Sequence, residues 1–440
     1  MLKVVKFGGT SLACAEQFRK VAAIVKADKS RRFVVASAPG KCFPEDIKVT
    51  DLLLSCYRLA KEGEKFDEPF SKVCDRFRSI CKELKVDLDL EKDFEEFYNS
   101  IRKGASEAYV ASRGEHFNAR ILAAYLDYPF VETREVILFD KEGTLLEQET
   151  NERLSEVLRK NTRAVLPGFY GSTVHGDIRI FSRGGSDITG SLVARAVKAD
   201  LYENWTDVSG LLMADPRIVE DPCPIEVVTY RELRELSYMG ASVLHEDAIF
   251  PVRREGIPIN IRNTNAPEDK GTMIVEQSDR KIGIVTGIAG KKGFGAIYIE
   301  KGMMNNELGF GRKVLSVLEE RKISFDHFPS GIDSMTVVVD RASLAGQENE
   351  LIHALQKAVQ PDKIQLIEDL CLLSVVGRGM VNTPGAARIL FEALERENIN
   401  VRMIDQGSSE LNIIVALDEK DYEKAILSVY DAFHSKEVKD

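Results

Sequence analysis

Lys6 stands one residue ahead of a glycine pair in the run Val4-Val5-Lys6-Phe7-Gly8-Gly9-Thr10-Ser11. An apolar stretch that ends in two glycines and then two hydroxyl residues reads as a strand turning into a capped helix. Backbone amides can approach anionic oxygens where no Cβ intervenes. The helix N-terminus adds partial positive charge, and the lysine can neutralise a phosphoryl group in transfer. The plainer reading of the same residues is an ordinary strand-to-helix loop. A second run, Phe181-Ser182-Arg183-Gly184-Gly185-Ser186-Asp187, repeats the pattern. Ser186 or Asp187 suits the cap of a helix over Ile188–Lys198. Arg183, beside the turn, is the side chain that grips a carboxylate in a two-pronged fork. Third come Trp205-Thr206-Asp207-Val208-Ser209-Gly210 and Asp215-Pro216-Arg217, which taken singly read as a core tryptophan and a turn. No G-x-x-x-x-G-K-[ST] segment occurs, which excludes a P-loop nucleotide site.

These residues need a scaffold, and the pattern supplies one. Candidate strands over Lys3–Phe7, Phe33–Ser37, Val131–Leu138 and Ala164–Leu166 alternate with helical stretches at Cys14–Ala27 and through the long charged run Asp51–Tyr125. That alternation predicts an α/β domain with a mainly parallel sheet flanked by helices. A further strand-then-helix unit covers Asp177–Lys198, and Pro258–Arg262 reads as a late strand. The acidic stretch Asp87–Glu96 has helical apolar spacing and reads as a solvated helix face. The polar run Ala266–Arg280 breaks the pattern, so residues 1–277 are expected to form one catalytic domain.

Beyond it the chain repeats itself. With Gly309 aligned on Gly385, one ungapped offset also matches Met304 with Met380, Arg312 with Arg388, Leu318 with Leu394 and Gly331 with Gly407. Each copy reads as a βαββαβ unit, a ferredoxin-like module, with expected limits of 281–362 and 363–440. Strands are expected at Ile323–Phe328 in the first copy and Asn400–Ile404 in the second.

Composition narrows the class. The chain has 440 residues, 44% of them hydrophobic and 30% charged, enough for two or three domains. A formal net charge of −10 argues against a nucleic-acid partner, since affinity for phosphate backbones comes from clustered Lys and Arg. No apolar run approaches the roughly 20 residues of a membrane helix, and the N-terminus turns polar too early for a secretory signal. A soluble, cytoplasmic protein is expected. The seven cysteines are scattered without C-x-x-C spacing, and the six histidines lack H-E-x-x-H spacing, so reduced thiols and no protein-built metal site are expected.

Taken together and in this order, the motifs resemble those of the amino-acid kinase family, and within it the aspartate kinases. The resemblance rests on K-F-G-G-T-S at Lys6–Ser11, R-G-G-S-D at Arg183–Asp187, W-T-D-V-x-G at Trp205–Gly210, D-P-R at Asp215–Arg217, G-A-x-V-L-H at Gly240–His245 and two ACT-like repeats. It implies phosphorylation of the L-aspartate side-chain carboxylate by ATP, with Mg²⁺ carried on the nucleotide. Lys6 and Asp187 would be catalytic. Ser37, Thr50, Glu115, Arg183 and Ser186 would bind substrate. Lys6, Gly8, Gly9, Thr206, Asp207, Arg217, Ser242 and Val243 would hold the nucleotide. Without the resemblance, Glu115 reads as a carboxylate on an exposed helix face. The sequence departs from the family at Leu212, at Ser242 and in the longer spacing through Lys41–Ile47.

The repeats look like paired ACT domains, which implies an amino-acid effector and a homodimer, or a dimer of dimers, formed through them. Met304, Glu307, Phe310, Gly311 and Asp326 are the expected effector residues. A carboxylate at Glu307 or Asp326 favours lysine over threonine, and the alternative for Gly311 is close helix packing. Rival readings are another amino-acid kinase, such as one acting on glutamate, and a non-catalytic amino-acid sensor. The end of the chain at Asp440, soon after the second repeat, leaves no expectation of a fused dehydrogenase.

Overall fold

Val4, Val5 and Phe7 are completely buried in the strand Lys3–Phe7 (β1), and this unbroken apolar run marks a strand covered on both faces. The computed structural model describes residues 1–241, 249–278 and 283–437. Around β1 stand Arg31–Ala36 (β2), Ala164–Pro167 (β3), Leu201–Thr206 (β4), Val227–Thr229 (β5), Ile259–Asn263 (β6) and Thr272–Val275 (β7). They form a seven-stranded sheet in the order β5–β7–β6–β4–β1–β2–β3. Every pair is parallel except β6 with β7.

The helix Gly185–Ala196 packs on β1, β2 and β4, whereas Glu107–Leu126 packs on β2 and β3. The charged run beyond Lys48 resolves into four helices, Val49–Lys61, Asp67–Leu84, Glu91–Arg102 and Glu107–Leu126. Their inner faces meet in an aromatic cluster in which the Phe117 ring lies 5.5 Å from Phe77 and 5.3 Å from Phe94. The acidic stretch enters a helix only at Glu91, with Phe94 and Phe97 turned inward. One expected strand is corrected: Val131–Leu138 instead carries a 3-10 turn at Thr133–Glu135, and only Leu138–Phe139 is extended. Buried Thr133 accepts the Val136 and Ile137 amides through its carbonyl, which closes the turn.

A second unit holds the C-terminal repeats, joined by residues 212–223 and 231–241. Its five strands are Gly287–Glu300 (β8), Ser334–Asp340 (β9), Lys363–Val376 (β10), Val401–Asp405 (β11) and Asn412–Asp418 (β12), in the order β9–β8–β10–β12–β11. Two strands of 14 residues, β8 and β10, run antiparallel along the middle and join both copies in one sheet. The first half of β8, Gly287–Lys292, pairs only with Cys371–Val376 of the second copy, whereas Phe294–Glu300 lies between β9 of the first copy and Lys363–Leu370 of β10. The second copy therefore takes an edge strand from ahead of the first.

Both copies open their first helix in the same way. Gly309 (φ 78°) precedes Phe310–Glu320 and Gly385 (φ 98°) precedes Ala386–Arg396, each in the left-handed region that glycine adopts without strain. The expected strand Ile323–Phe328 is reduced to isolated bridges through His327 and Ser330. Among the described residues no helix is long and apolar enough to cross a membrane.

Candidate active site

Parallel sheets present their loops at the carboxyl ends of the strands, where ligands bind in folds of this type. Lys6 lies near that end of β1, in register with Asn204 of β4. Its ammonium is 2.6 Å from Asp187 Oδ1 and 3.5 Å from Asn204 Oδ1, and Asn204 Nδ2 donates to the same Asp187 oxygen at 2.9 Å. Asp187 sits in the first turn of the helix Gly185–Ala196. One cation, one carboxylate and one amide thus close a triangle at the ends of β1 and β4. Asn204 was not among the expected residues; its only signal is a polar residue inside the buried strand LYENWT.

In the adjoining loops Gly9 and Gly40 leave little or no room for a side chain, whereas Gly8 is in ordinary contact with its neighbours. Gly8 N–H donates to Trp205 O at 2.9 Å, which spends that amide on the sheet. A Cβ on Gly8 would lie 3.6 Å from the Lys6 ammonium, and one on Gly9 would lie 3.0 Å from Ala38 O. Gly40 N–H donates to Gly9 O at 2.8 Å, so the segment Ser37–Gly40 rests directly on the glycine pair. Ser37 donates its amide to Phe7 O at 3.2 Å and accepts Asn118 Nδ2 at 2.7 Å through its carbonyl. Thr50, half-buried, stands in the first turn of Val49–Lys61.

Glu115 overturns the reading drawn from its local sequence. It is 6% exposed, not on a solvated face. Gly114 brings the helix Glu107–Leu126 hard against the loop, where an added Cβ would sit 2.8 Å from Ala38 Cβ. The carboxylate accepts the Ala38 amide, yet its Oε2 is buried with no hydrogen-bond partner. Burial pushes its pKa up to about 8. A buried carboxyl oxygen without a donor is costly unless a ligand completes it.

Beside Glu115 runs a second group that sequence reasoning missed. His116 Nδ1 lies 2.9 Å from Glu132, and the Tyr170 hydroxyl donates to Glu132 at 2.7 Å. Burial alone would raise Glu132, but His116 and Tyr170 hold it down to about 2. Beneath β1 and β4, fully buried Glu203 accepts Lys3 at 2.9 Å, Arg31 at 2.7 Å and Trp205 Nε1 at 2.9 Å. These bonds offset the cost of burying its charge.

Arg183 is exposed, and among the described residues no carboxylate lies within ion-pairing reach of it. Ser186 is buried against Gly168, at which any Cβ would meet its Oγ at 2.5 Å. Thr206 Oγ1 donates to Asp207 at 3.1 Å at the end of β4. Arg217 belongs to the second unit, where it is exposed and paired with Asp215 at 2.6 Å. Ser242 and Val243 lie outside the described residues.

The expected effector residues all fall in the second unit. Met304 and Phe310 are buried in the core of the first repeat. Glu307 is held by Lys301 and Lys313, each at 2.6 Å. A Cβ at Gly311 would be in ordinary contact with Phe328 at 3.5 Å. Asp326 accepts the Tyr238 hydroxyl.

The amino acid kinase family model matches residues 1–263, and a model of the ACT domain matches residues 373–433. Aspartokinase 3 of Bacillus subtilis (strain 168) is 39% identical over 447 residues, covering 98% of each chain. The chain belongs to the aspartokinases. The crystal structure of Clostridium acetobutylicum aspartate kinase matches with a TM-score of 0.90 at 49% identity, covering 98% of this chain and 99% of that one. E. coli aspartokinase III in complex with aspartate and ADP shares the fold at 23% identity, with a TM-score of 0.78 over 99% of this chain. Membership of the aspartokinases accounts for both parts of the molecule at once, a parallel-sheet kinase unit and ferredoxin-like ACT repeats.

Proposed function

We propose that this aspartokinase transfers the γ-phosphoryl group of ATP to the side-chain carboxylate of L-aspartate, giving 4-phospho-L-aspartate and ADP. The observation that carries the substrate assignment is Glu115 Oε2, a buried carboxyl oxygen without a hydrogen-bond partner. The α-ammonium of an amino acid supplies that donor, and exposed Arg183 suits the α-carboxylate. The glycine pair, with Gly9 close against Ala38 O and Gly8 beside the Lys6 ammonium, fits a nucleotide phosphate, which needs backbone approach and a nearby cation. Lys6 then neutralises the equatorial oxygens of the moving phosphoryl group, while Asp187 and Asn204 fix the ammonium in place. An aspartate carboxylate is already ionised at neutral pH, so the reaction requires no general base. Thr206 and Asp207 complete the nucleotide side in this reading, with Ser37, Thr50 and Ser186 on the substrate side. Mg²⁺ arrives as MgATP. Among the described residues no three His, Cys, Asp or Glu side chains gather as a metal site.

The product feeds the aspartate-derived amino acids, with lysine as the feedback effector acting through the ACT repeats in a cytoplasmic homo-oligomer. Coupled ADP release, with aspartate and glutamate compared side by side, tests the substrate; faster turnover of glutamate would overturn it. Arg183→Ala should raise KM for aspartate by an amount equivalent to about 2–5 kcal/mol while leaving KM for ATP near its starting value. Lost ATP affinity with unchanged aspartate binding would place Arg183 on the nucleotide side instead.

A further inference from the structure

Outside the residues assigned above, two cysteines line one cleft beside the glycine loops. Cys14 opens the helix Ala15–Ala27, shortly after the turn Thr10–Leu12. Cys42 follows Gly40 on the segment whose length departs from the family pattern. The Cys42 thiol donates to Ala13 O at 3.0 Å, which sets its sulfur against the residue that precedes Cys14. Both face one cleft of about 530 Å³, which Arg76, Asp46 and Phe43 also line.

Arg76 stitches the two segments together. Its Nη1 donates to Gly40 O at 3.2 Å and Ala13 O at 3.4 Å, while its Nη2 reaches both Asp46 oxygens at 2.6 Å. Cys42 is exposed and Cys14 half-buried, so a small reagent can enter the cleft; Cys56, Cys74, Cys81 and Cys371 are buried.

We propose that Cys14 and Cys42 are a redox modification site, a dithiol that a low-molecular-weight disulfide oxidises to an intramolecular disulfide which lowers turnover. The step balances in two exchanges. The Cys14 thiolate attacks one sulfur of the oxidant and expels one small thiolate. Cys42 then loses its proton, attacks the Cys14 sulfur of the mixed disulfide and expels the second. Two protein thiols are oxidised, the oxidant is reduced to two thiols, and the protons pass to the departing thiolates. Burial pushes the Cys42 thiol up to about 11, which slows the second exchange at neutral pH and makes Cys42 a poor leaving group once bonded.

The consequence for catalysis runs through Gly40. An S–S bond of about 2.05 Å is far shorter than a contact between thiols, so closure draws the Cys42 segment toward the start of the helix. Gly40 cannot absorb the shift, because even a Cβ there would stand 2.7 Å from the Gly9 carbonyl carbon. The displacement passes to the glycine loop, where a misplacement of about 1 Å commonly costs on the order of a hundredfold in rate.

The test treats the full-length enzyme with glutathione disulfide or with dithiothreitol. Tryptic digestion without reductant should join the peptides Phe7–Arg19 and Cys42–Lys48, at about 2 Da below their summed masses. Turnover should fall about tenfold or more and recover on reduction. Cys42→Ser and Cys14→Ser should each keep the activity of the reduced enzyme and ignore the oxidant, whereas Cys223→Ser should respond as the wild type does. Absence of the joined peptide would overturn the proposal, as would its formation without loss of turnover, or a loss that persists in Cys42→Ser. The peptide readout does not depend on which amino acid is the substrate, so failure of the substrate assignment is distinguishable from failure of the site.

Discussion

Lys6 works only as well as its neighbours aim it. Asp187 and Asn204 hold the ammonium at the carboxyl end of β1, so the cation is oriented before any substrate arrives. Lys6→Ala should therefore leave the enzyme folded and lower kcat by roughly 10² or more, the usual loss for one preorganised charge; near-normal turnover in a steady-state assay would remove Lys6 from this role. Glu115 makes a prediction of the opposite kind, in which function costs stability. Its pKa in the fold, about 8, stands above the ordinary 4.5. The neutral carboxyl is thus the form the empty site favours. Its contribution to stability is complete below pH 4.5 and is lost as pH rises through 8. Glu115→Gln, neutral at every pH, should melt higher than the wild type at pH 8.5, with the difference vanishing near pH 4.5. Binding an ammonium needs the ionised carboxylate, so KM for aspartate should fall between pH 6 and 8, at most about tenfold per pH unit for one proton. A flat KM profile would detach Glu115 from the amine. Lys6 and Asp187 are legible in the sequence because each adjoins a glycine pair that marks a strand-to-helix turn. The burial of Glu115 is not, since it depends on Gly114 seating the helix against Ala38, residues 76 positions apart in the chain.

At the scale of elements, local rules read well and non-local pairing does not. The alternation of apolar runs with amphipathic stretches is enough to place β1 and β3, and the offset repeat places both glycines that open the helices Phe310–Glu320 and Ala386–Arg396. Nothing local distinguishes the two halves of β8, of which only the second also reaches β9, because strand partners are chosen across long separations by burial. Nor does propensity reveal that the helix Tyr230–Tyr238 belongs, from Arg231 on, with the second unit. Fully buried Glu232 shows what holds that helix there. Its carboxylate accepts Thr286 Oγ1 at 2.6 Å, the Arg378 amide at 2.9 Å and the Arg378 guanidinium at 2.7 Å. Removing it takes a charged partner from a guanidinium that is mostly out of water, and losses from breaking such pairs run to about 3–5 kcal/mol. Glu232→Ala should therefore lower the unfolding free energy by roughly that amount in urea titration. A change under about 0.5 kcal/mol would assign the helix to packing forces alone.

At the scale of the whole molecule, among the described residues, the first ACT repeat carries three of the most exposed large apolar side chains. Leu308 is 98% exposed, Ile332 70% and Met303 69%, apolar side chains that a second copy would cover. Leu308→Asp should accordingly shift sedimentation toward the monomer if the repeat dimerises there. Two carboxylates of the same repeat, Glu307 and Asp326, differ in what they already hold. Glu307 already carries two lysines of its own chain, at 2.6 Å each, which leaves little negative potential for an incoming cation. Asp326 differs: it accepts the Tyr238 hydroxyl, and among the described residues no cation pairs with it. Of the two, Asp326 is therefore the one we propose for the ε-ammonium, a group threonine lacks. Useful inhibition needs only about 1–3 kcal/mol of preference for an inactive conformation. Isothermal titration should show saturable lysine binding to the wild type, weaker threonine binding, and a lysine affinity lowered roughly tenfold to a hundredfold in Asp326→Ala, the range for a hydrogen bond to a charged group. Lysine binding untouched by the substitution would put the effector elsewhere, and tighter threonine binding would overturn the choice of ligand. Because loss of the dimer could itself abolish binding, the Asp326→Ala sample should be sedimented alongside; an intact dimer with weakened lysine binding assigns the effect to the carboxylate.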